Sequence, residues 1–273
     1  MKVYISVDME GIAGHTGWDQ IMPGRLGYEA SQVRMTEEAT AAVQGAFDGG
    51  ATGVVVNDAH DGMRNLIPEL LDPRADLVSG APKPYSMVQG LDGSFDLAFF
   101  VGYHAAAGEA GVLAHTYSLD PVSVRVNGAV VGELGLNALV AGAWGVAVGL
   151  ATGDDLVAQE AERTVPWAER VVVKEAAGRF AACSVSPERS QKAIREAARK
   201  AAHRRSEMRP RILEGPLTLE VSYRQAGMAD VAALLPGSER TGPRDIRYVA
   251  PDAVTLYRAF RLMNTVAGAA RDG

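Results

Sequence analysis

One cysteine, Cys183, stands in 273 residues. A lone thiol excludes an internal disulfide framework and the cysteine-rich zinc fingers and ribbons. It points to a reducing compartment, so a cytoplasmic location is expected. The thiol lies in a small apolar run, residues 180–185, which predicts a buried structural cysteine rather than a nucleophile. An export signal is lacking as well, because Asp8 and Glu10 interrupt the apolar stretch that follows Lys2. The longest uncharged run, 134–153, approaches the length of a membrane span. Asn137 and the glycines at 135, 142, 145, 149 and 153 instead predict a soluble helix, a stop at Gly145 and a buried strand, with no membrane partner. No repeat or low-complexity segment occurs. Acidic charge is in excess at −6, but residues 189–211 carry nine Lys/Arg against two Glu, a local +7 that leaves −13 elsewhere. No aromatic residue interleaves with these basic residues to stack bases, so a solvated helix face is expected and no nucleic-acid partner.

A chain of this length buries roughly 75% of its unfolded surface and needs no covalent staples. Residues 3–7 alternate as a first strand that ends at Asp8. Residues 27–49 carry an apolar stripe (Val33, Ala39, Ala42, Val43, Ala46) and predict a long helix closed by Gly49-Gly50. Short apolar strands follow at 54–56, 77–78 and 97–101, of the kind buried in a parallel sheet. A hairpin turning at Asn127-Gly128 spans 122–131, a helix 133–143, a strand 146–150 and a helix 154–163 capped by Asp154. The alternation predicts an α/β fold, a mostly parallel sheet flanked by helices, over residues 1–165. After Pro166 the texture changes. A strand at 171–173, a helix opened by Ser186-Pro187, strands at 217–223 and 245–249, and a terminal helix opened by Pro251 predict a smaller α+β domain over 166–273, serving assembly or substrate shaping.

Ligands of open α/β sheets bind beyond the carboxyl ends of the strands. Asp8, His60 and His104 each fall just after a predicted strand, in a chain with only five histidines. Asp8 and Glu10 are two apart, so in extended chain they face the same way and repel unless a cation lies between them. His60 sits in a loop dense with Asn57, Asp58 and Asp61, and Glu133 opens the helix after the hairpin. Asp8, Glu10, His60, His104 and Glu133 are therefore candidate metal ligands. Three carboxylates bring −3; two divalent ions and one hydroxide balance it, whereas one ion leaves the cluster anionic. Mixed His and carboxylate ligation favours two Zn²⁺ per chain, with Mn²⁺ or Co²⁺ as alternatives, and disfavours Mg²⁺. His115 returns after a Gly/Ala-rich loop as a further ligand, a general acid/base or a structural residue, with a direct catalytic role favoured. His15 is expected to be structural or exposed, and His203 to be remote from any chemistry. A dinuclear site of this kind also serves amidases and phosphoesterases, for which Arg64 is the nearby candidate phosphate clamp. A non-catalytic peptide- or metal-binding protein is the third class.

Several stretches, in order and spacing, resemble one family. They are 6–11 (SVDMEG), 35–39 (MTEEA), 56–60 (VNDAH), 83–88 (KPYSMV), 102–104 (GYH), Ala114-His115 and 131–138 (VGELGLNA). On them the chain is identified as a member of the D-aminopeptidases of peptidase family M55 (DppA type). The resemblance covers almost the whole length and implies a dinuclear zinc aminopeptidase that releases the N-terminal residue of short peptides, D-residue peptides such as D-Ala-D-Ala in particular. It places the ligands on Asp8, Glu10, His60, His104 and Glu133, with Asp8 bridging, and the catalytic residue, described as a nucleophile, on His115. It further implies a homo-oligomer, a ring-like decamer with active sites facing an inner channel. Pro82 stands where the family often has Asp before the Lys-Pro pair, and the loop at Asp120-Pro121 differs, which bears on substrate preference.

Overall fold

Every residue from Val3 to Val7 is buried, which requires a strand covered on both faces. The computed structural model describes residues 1–270. Its elements are β1 (Lys2–Val7), α1 (Trp18–Ile21), α2 (Tyr28–Asp48), β2 (Gly53–Asp58), β3 (Ala75–Val78), β4 (Leu97–Tyr103), β5 (Pro121–Val126), β6 (Ala129–Val130), α3 (Glu133–Ala143) and β7 (Ala147–Asp154). They continue with α4 (Asp155–Thr164), β8 (Glu169–Gly178), β9 (Ala181–Ser184), α5 (Pro187–His203), β10 (Leu217–Tyr223), α6 (Ala226–Ala232), β11 (Ser238–Arg240), β12 (Asp245–Ala250) and α7 (Ala253–Ala267).

Seven strands form one sheet in the order β3-β2-β1-β4-β7-β8-β9, parallel except for the edge strand β9. A second, antiparallel sheet runs β11-β12-β10-β5-β6. Strand alternation sorts side chains between two cores. Val3, Ile5, Val7, Phe99 and Val101 pack with α2 (Met35, Ala39, Ala42, Ala46) and α5 (Ile194, Ala198, Ala201). Tyr4, Ala98, Phe100 and Tyr103 face the other way, toward α3, α7 and the antiparallel sheet (Leu217, Leu219, Val221). The α/β expectation thus matches the molecule.

Local signals behaved as their chemistry dictates. Asp154 caps α4 by accepting from Val157 N at 2.8 Å, and Ser186 caps α5 with Pro187 in its first turn. Asn127 and Gly128 take positive φ (50° and 79°), as a type I′ hairpin turn demands. The uncharged run splits into α3, a turn at Gly145 (φ 78°) and β7. Among the described residues no helix is long and apolar enough to cross a membrane. The basic residues of 189–211 pair with surface acids, Arg195 with Asp48, Lys200 and Arg204 with Glu169, and Arg205 with Asp96.

Two features differ from expectation. The expected boundary at 165/166 does not separate the sheets. β8 and β9 lie beyond it yet extend the parallel sheet, and β5 and β6 precede it yet join β10. Backbone pairing, not chain order, assigns a strand to its layer. Cys183 is exposed rather than buried. It sits on edge strand β9, where alternate residues turn outward whatever their polarity.

Helices α2 and α5 meet at Gly45, where an added Cβ would lie 2.2 Å from Arg195 O and 2.7 Å from the Ala198 Cβ. Gly45→Ala gains helix propensity of about 1 kcal/mol but forces the helices apart, at a cost of roughly 1–3 kcal/mol or more. A melting temperature lowered by about 5 °C is expected; an unchanged one in differential scanning calorimetry would show that this contact is not close.

Candidate metal centre

Strand order determines which loops meet. β1 lies between β2 and β4, with Val7 opposite both Asp58 and Val101. The chain leaves β1 toward β2 on one side and reaches β4 on the other, so the β1/β4 gap is the switch point where such sheets open a crevice. Asp8 and Glu10 follow β1, His60 follows β2, His104 follows β4, and Glu133 is the first residue of α3. Two glycines allow the close approach. A Cβ on Gly11 would lie 1.8 Å from Tyr103 O, and one on Gly102, at φ +70°, 2.3 Å from Asp8 O.

All six candidate residues converge. His60 Nδ1 lies 2.9 Å from Glu10 Oε2 and 3.4 Å from Asp8 Oδ1. His104 Nε2 lies 3.5 Å from Asp8 Oδ2 and 3.4 Å from Glu133 Oε2. His115 Nε2 lies 3.8 Å from Glu10 Oε1 and from Glu133 Oε1. Each imidazole gives its other nitrogen to a backbone carbonyl at 2.8–2.9 Å: His60 to Ile21 O, His104 to Ala105 O and His115 to Leu113 O. A carbonyl only accepts, so those nitrogens carry a proton, and the second nitrogen of each ring is the one aimed at the carboxylates, where a bound cation would take the place of its proton.

This donor set fits divalent cations. Two buried triads, Asp8/Glu10/His60 and Asp8/His104/Glu133, bring ligand atoms within 4.8 Å of one another and share Asp8, one oxygen turned to each histidine. A tetrahedral zinc with bonds near 2.0–2.1 Å has ligand–ligand edges of roughly 3.4 Å. The separations of 3.4, 3.5 and 3.4 Å match those edges, whereas His60 Nδ1 and Glu10 Oε2, at 2.9 Å, stand at hydrogen-bond distance. His104 Nε2 is buried with no hydrogen-bond partner. The cage also draws in positive charge of any kind. Burial alone would discharge the imidazoles, yet Glu10 and Asp8 hold His60 well above its ordinary value. Glu133, with Glu10 and Asp8, pushes His104 up to about 10 against the same burial. Burial and the Glu10 charge push Asp8 up, while Glu10 and Glu133, desolvated but beside the histidines, are held down. Burial, then the adjacent His104, lowers His115.

His115 differs from the others in access. Its side chain keeps 12% of its surface exposed against 4% for His60 and 1% for His104. Its ring stacks on His104 at 4.3 Å and meets the edge of Trp18 at 5.6 Å. It lines a pocket of about 520 Å³ together with Asp8, Glu10, His60, Glu133, Tyr117, Arg224 and Arg261. His15 is fully buried and holds Met9 O at 2.8 Å, a structural role, and His203 is exposed at the end of α5. Arg64 donates to Ala81 O and is not among the residues lining the pocket.

The sequence did not disclose the supports behind the ligands. The buried Lys174 ammonium donates to Glu10 O, to Ile12 O at 3.0 Å and to His15 O at 2.6 Å, clamping the loop that carries Glu10. Lys83 donates at 2.6 Å to Asn57 Oδ1 and to Asp58 O, just before His60. Glu160 Oε1 accepts from Gly132 N at 2.7 Å and Gly135 N at 3.1 Å, fixing the start of the Glu133 helix. Lys174 left a trace as a lysine directly after the apolar run 171–173, and Lys83 stands in the 83–88 stretch that carries the family resemblance, neither of which told what the side chain holds.

The fold and this cage define a metal-dependent hydrolase. Comparison narrows the class. The family model for peptidase M55, described as D-aminopeptidase, matches residues 1–262, and the chain belongs to that family. It is 39% identical over 268 residues to a D-aminopeptidase of Bacillus subtilis (strain 168), covering 98% of each chain. A solved structure of a Zn-dependent D-aminopeptidase, DppA from Bacillus subtilis, described as a self-compartmentalizing protease, superposes with a TM-score of 0.95 at 39% identity over 98% of both chains.

Burial pushes the Glu160 and Glu38 carboxyls up to about 7. Between their unfolded values near 4.5 and about 7 the native state binds more protons than the unfolded state, so this contribution to stability is full below pH 4.5 and lost as pH rises through 7. In Glu160→Gln the fall in unfolding free energy over that window is expected to shrink by about 3 kcal/mol. Urea unfolding of both proteins from pH 4.5 to 7.5 measures it; parallel pH curves would show that Glu160 is ionised in the fold throughout.

Proposed function

We propose that this protein is a zinc-dependent aminopeptidase that releases the N-terminal D-residue from short peptides such as D-Ala-D-Ala. The observation that carries it is the pair of buried triads sharing Asp8 at the mouth of a pocket, in a chain of the M55 family. Two zinc ions per chain are proposed, one held by Asp8, Glu10 and His60, the other by Asp8, His104 and Glu133. Bound there, zinc supplies Lewis-acid polarisation of the scissile carbonyl and acidifies water near neutral pH.

The chain's own groups do the rest. The carboxylates give the cage an acidic floor suited to a substrate ammonium. His115 Nδ1–H is tied to Leu113 O, which leaves Nε2 as a proton acceptor facing both cage and pocket. It takes the proton of the attacking water and delivers it to the leaving amine, a general acid/base role rather than nucleophilic attack. Neutral imidazole is the form this requires, and burial with His104 alongside favours it. Trp18 and the stacked His104 hold the ring in place.

Residues 166–273 are proposed to shape the substrate pocket and support assembly. Arg224 and Arg261, both from this part of the chain, line the same pocket as the cage. The DppA relative, described as self-compartmentalizing, supports a homo-oligomer, with the ring-like decamer as the proposed form. The exposed free thiol of Cys183 is compatible with a reducing cytoplasm.

Zinc-restored protein is expected to cleave D-Ala-D-Ala and spare L-Ala-L-Ala, and chelated protein to cleave neither. Equal or better cleavage of the L-peptide would remove the D-specific assignment and keep the metallopeptidase. His115→Ala at full zinc content should lose turnover by about 100-fold or more; retained turnover would take His115 out of the mechanism. Elemental analysis of His104→Ala should show zinc falling from two ions per chain toward one, and an unchanged content would refute the second site.

A further inference from the structure

The pocket that the cage carboxylates Asp8, Glu10 and Glu133 line is also lined by two arginines, Arg224 and Arg261. The arginines are not equivalent. Arg224 Nη2 lies 3.3 Å from Asp120 Oδ1, and Asp120 is fully buried, so this cation is already matched. Arg261, on α7, has no carboxylate within ion-pairing distance among the described residues, and its Nε is buried without a hydrogen-bond partner. Its guanidinium lies over the Tyr117 ring, 5.5 Å from the centroid. That ring is itself fixed, its hydroxyl 2.7 Å from Tyr257 OH and 2.8 Å from Asn137 Oδ1.

Tyr117 also ties Arg261 to the cage, because its backbone N donates to Glu133 Oε1 at 2.6 Å. The Tyr117 N to Glu133 hydrogen bond, the tyrosine itself and the ring contact put Arg261 at most roughly 13 Å from Glu133 Oε1. An extended dipeptide of about 7 Å with one hydrogen bond of about 3 Å at each end is long enough to bridge that distance. A guanidinium presents a planar forked N–H edge that matches a carboxylate in a bidentate way.

We infer that Arg261 is a specificity-determining residue that binds the free C-terminal carboxylate of a short peptide whose ammonium end lies at the cage. The inference rests on the D-aminopeptidase assignment and deepens it. It makes the enzyme a reader of both termini and therefore selective for short peptides with a free C-terminal carboxylate over their amides.

The test compares D-Ala-D-Ala with D-Ala-D-Ala amide on the zinc-loaded wild type, Arg261→Gln and Arg261→Lys. Thermal melts report whether each variant is folded. The wild type should prefer the free acid by roughly 10- to 100-fold in kcat/KM, the range of one charge-assisted contact. In Arg261→Gln that ratio should collapse toward one, chiefly through KM, and Arg261→Lys should restore part of it. A wild type that does not distinguish the two, or an Arg261→Gln that loses both equally with the ratio intact, overturns the inference. Calorimetric titration of the metal-stripped proteins with both compounds decides the point without turnover. If the zinc-loaded wild type cleaves neither, the D-aminopeptidase assignment falls. A binding preference for the acid that Arg261→Gln abolishes would still uphold Arg261 as the carboxylate site, and no preference would overturn it.

Discussion

Three carboxylates held within a few ångströms of one another, all nearly excluded from water, are the constraint from which the rest of this molecule follows. Isolated buried charges are prohibitively unfavourable, so Asp8, Glu10 and Glu133 can all be ionised together only around cations. The imidazoles are arranged to share them. His60 and His104 are each anchored to a backbone carbonyl through one nitrogen so that the other faces the carboxylates, and the His104 separations match the edges of a zinc polyhedron. The same electrostatic demand reaches outward to the buried cations Lys174 and Lys83, which spend their donors on the backbone of the Glu10 and His60 loops rather than on the carboxylates themselves. They hold the ligands in position without competing for them.

The sheet supplies the second condition, proximity. Loops separated by about fifty residues meet because β1 lies between β2 and β4, and because Gly11 and Gly102 let two backbones touch where any side chain would intervene. The helices and the antiparallel sheet bury the flanks of these strands and so fix the loop ends. Access from the pocket then falls to His115, the one histidine of the cage region with appreciable exposure, its ring stacked on the buried His104.

Beyond the cage, α7 and the loops flanking the antiparallel sheet complete the pocket: Arg261 comes from α7, Arg224 directly follows β10 and Tyr117 precedes β5. A zwitterionic peptide is the ligand that the proposed pairing of acidic cage and Arg261 would match. The interleaving of the two sheets across residue 165 has a functional meaning in this light, since strands and helices from both parts of the chain build one pocket.

By itself the sequence determined the ligand types, the strand ends that carry them and most helix limits. These are local matters, set by apolar periodicity, by capping residues such as Asp154 and Ser186, and by turn residues such as Asn127-Gly128. The six cage residues were legible because Asp, Glu and His after apolar strands have few other uses. Tertiary structure alone decided that β8 and β9 join the parallel sheet, that Cys183 faces outward, that Lys174 and Glu160 brace the candidate ligand segments, and that Arg261 lies over Tyr117 at the pocket. Apart from the lysine after the apolar run 171–173, none of these left a signal along the chain. Hydrogen-bond pairing between strands, and contact between side chains more than a hundred residues apart, depend on which surfaces the folded chain brings together rather than on any neighbour in sequence.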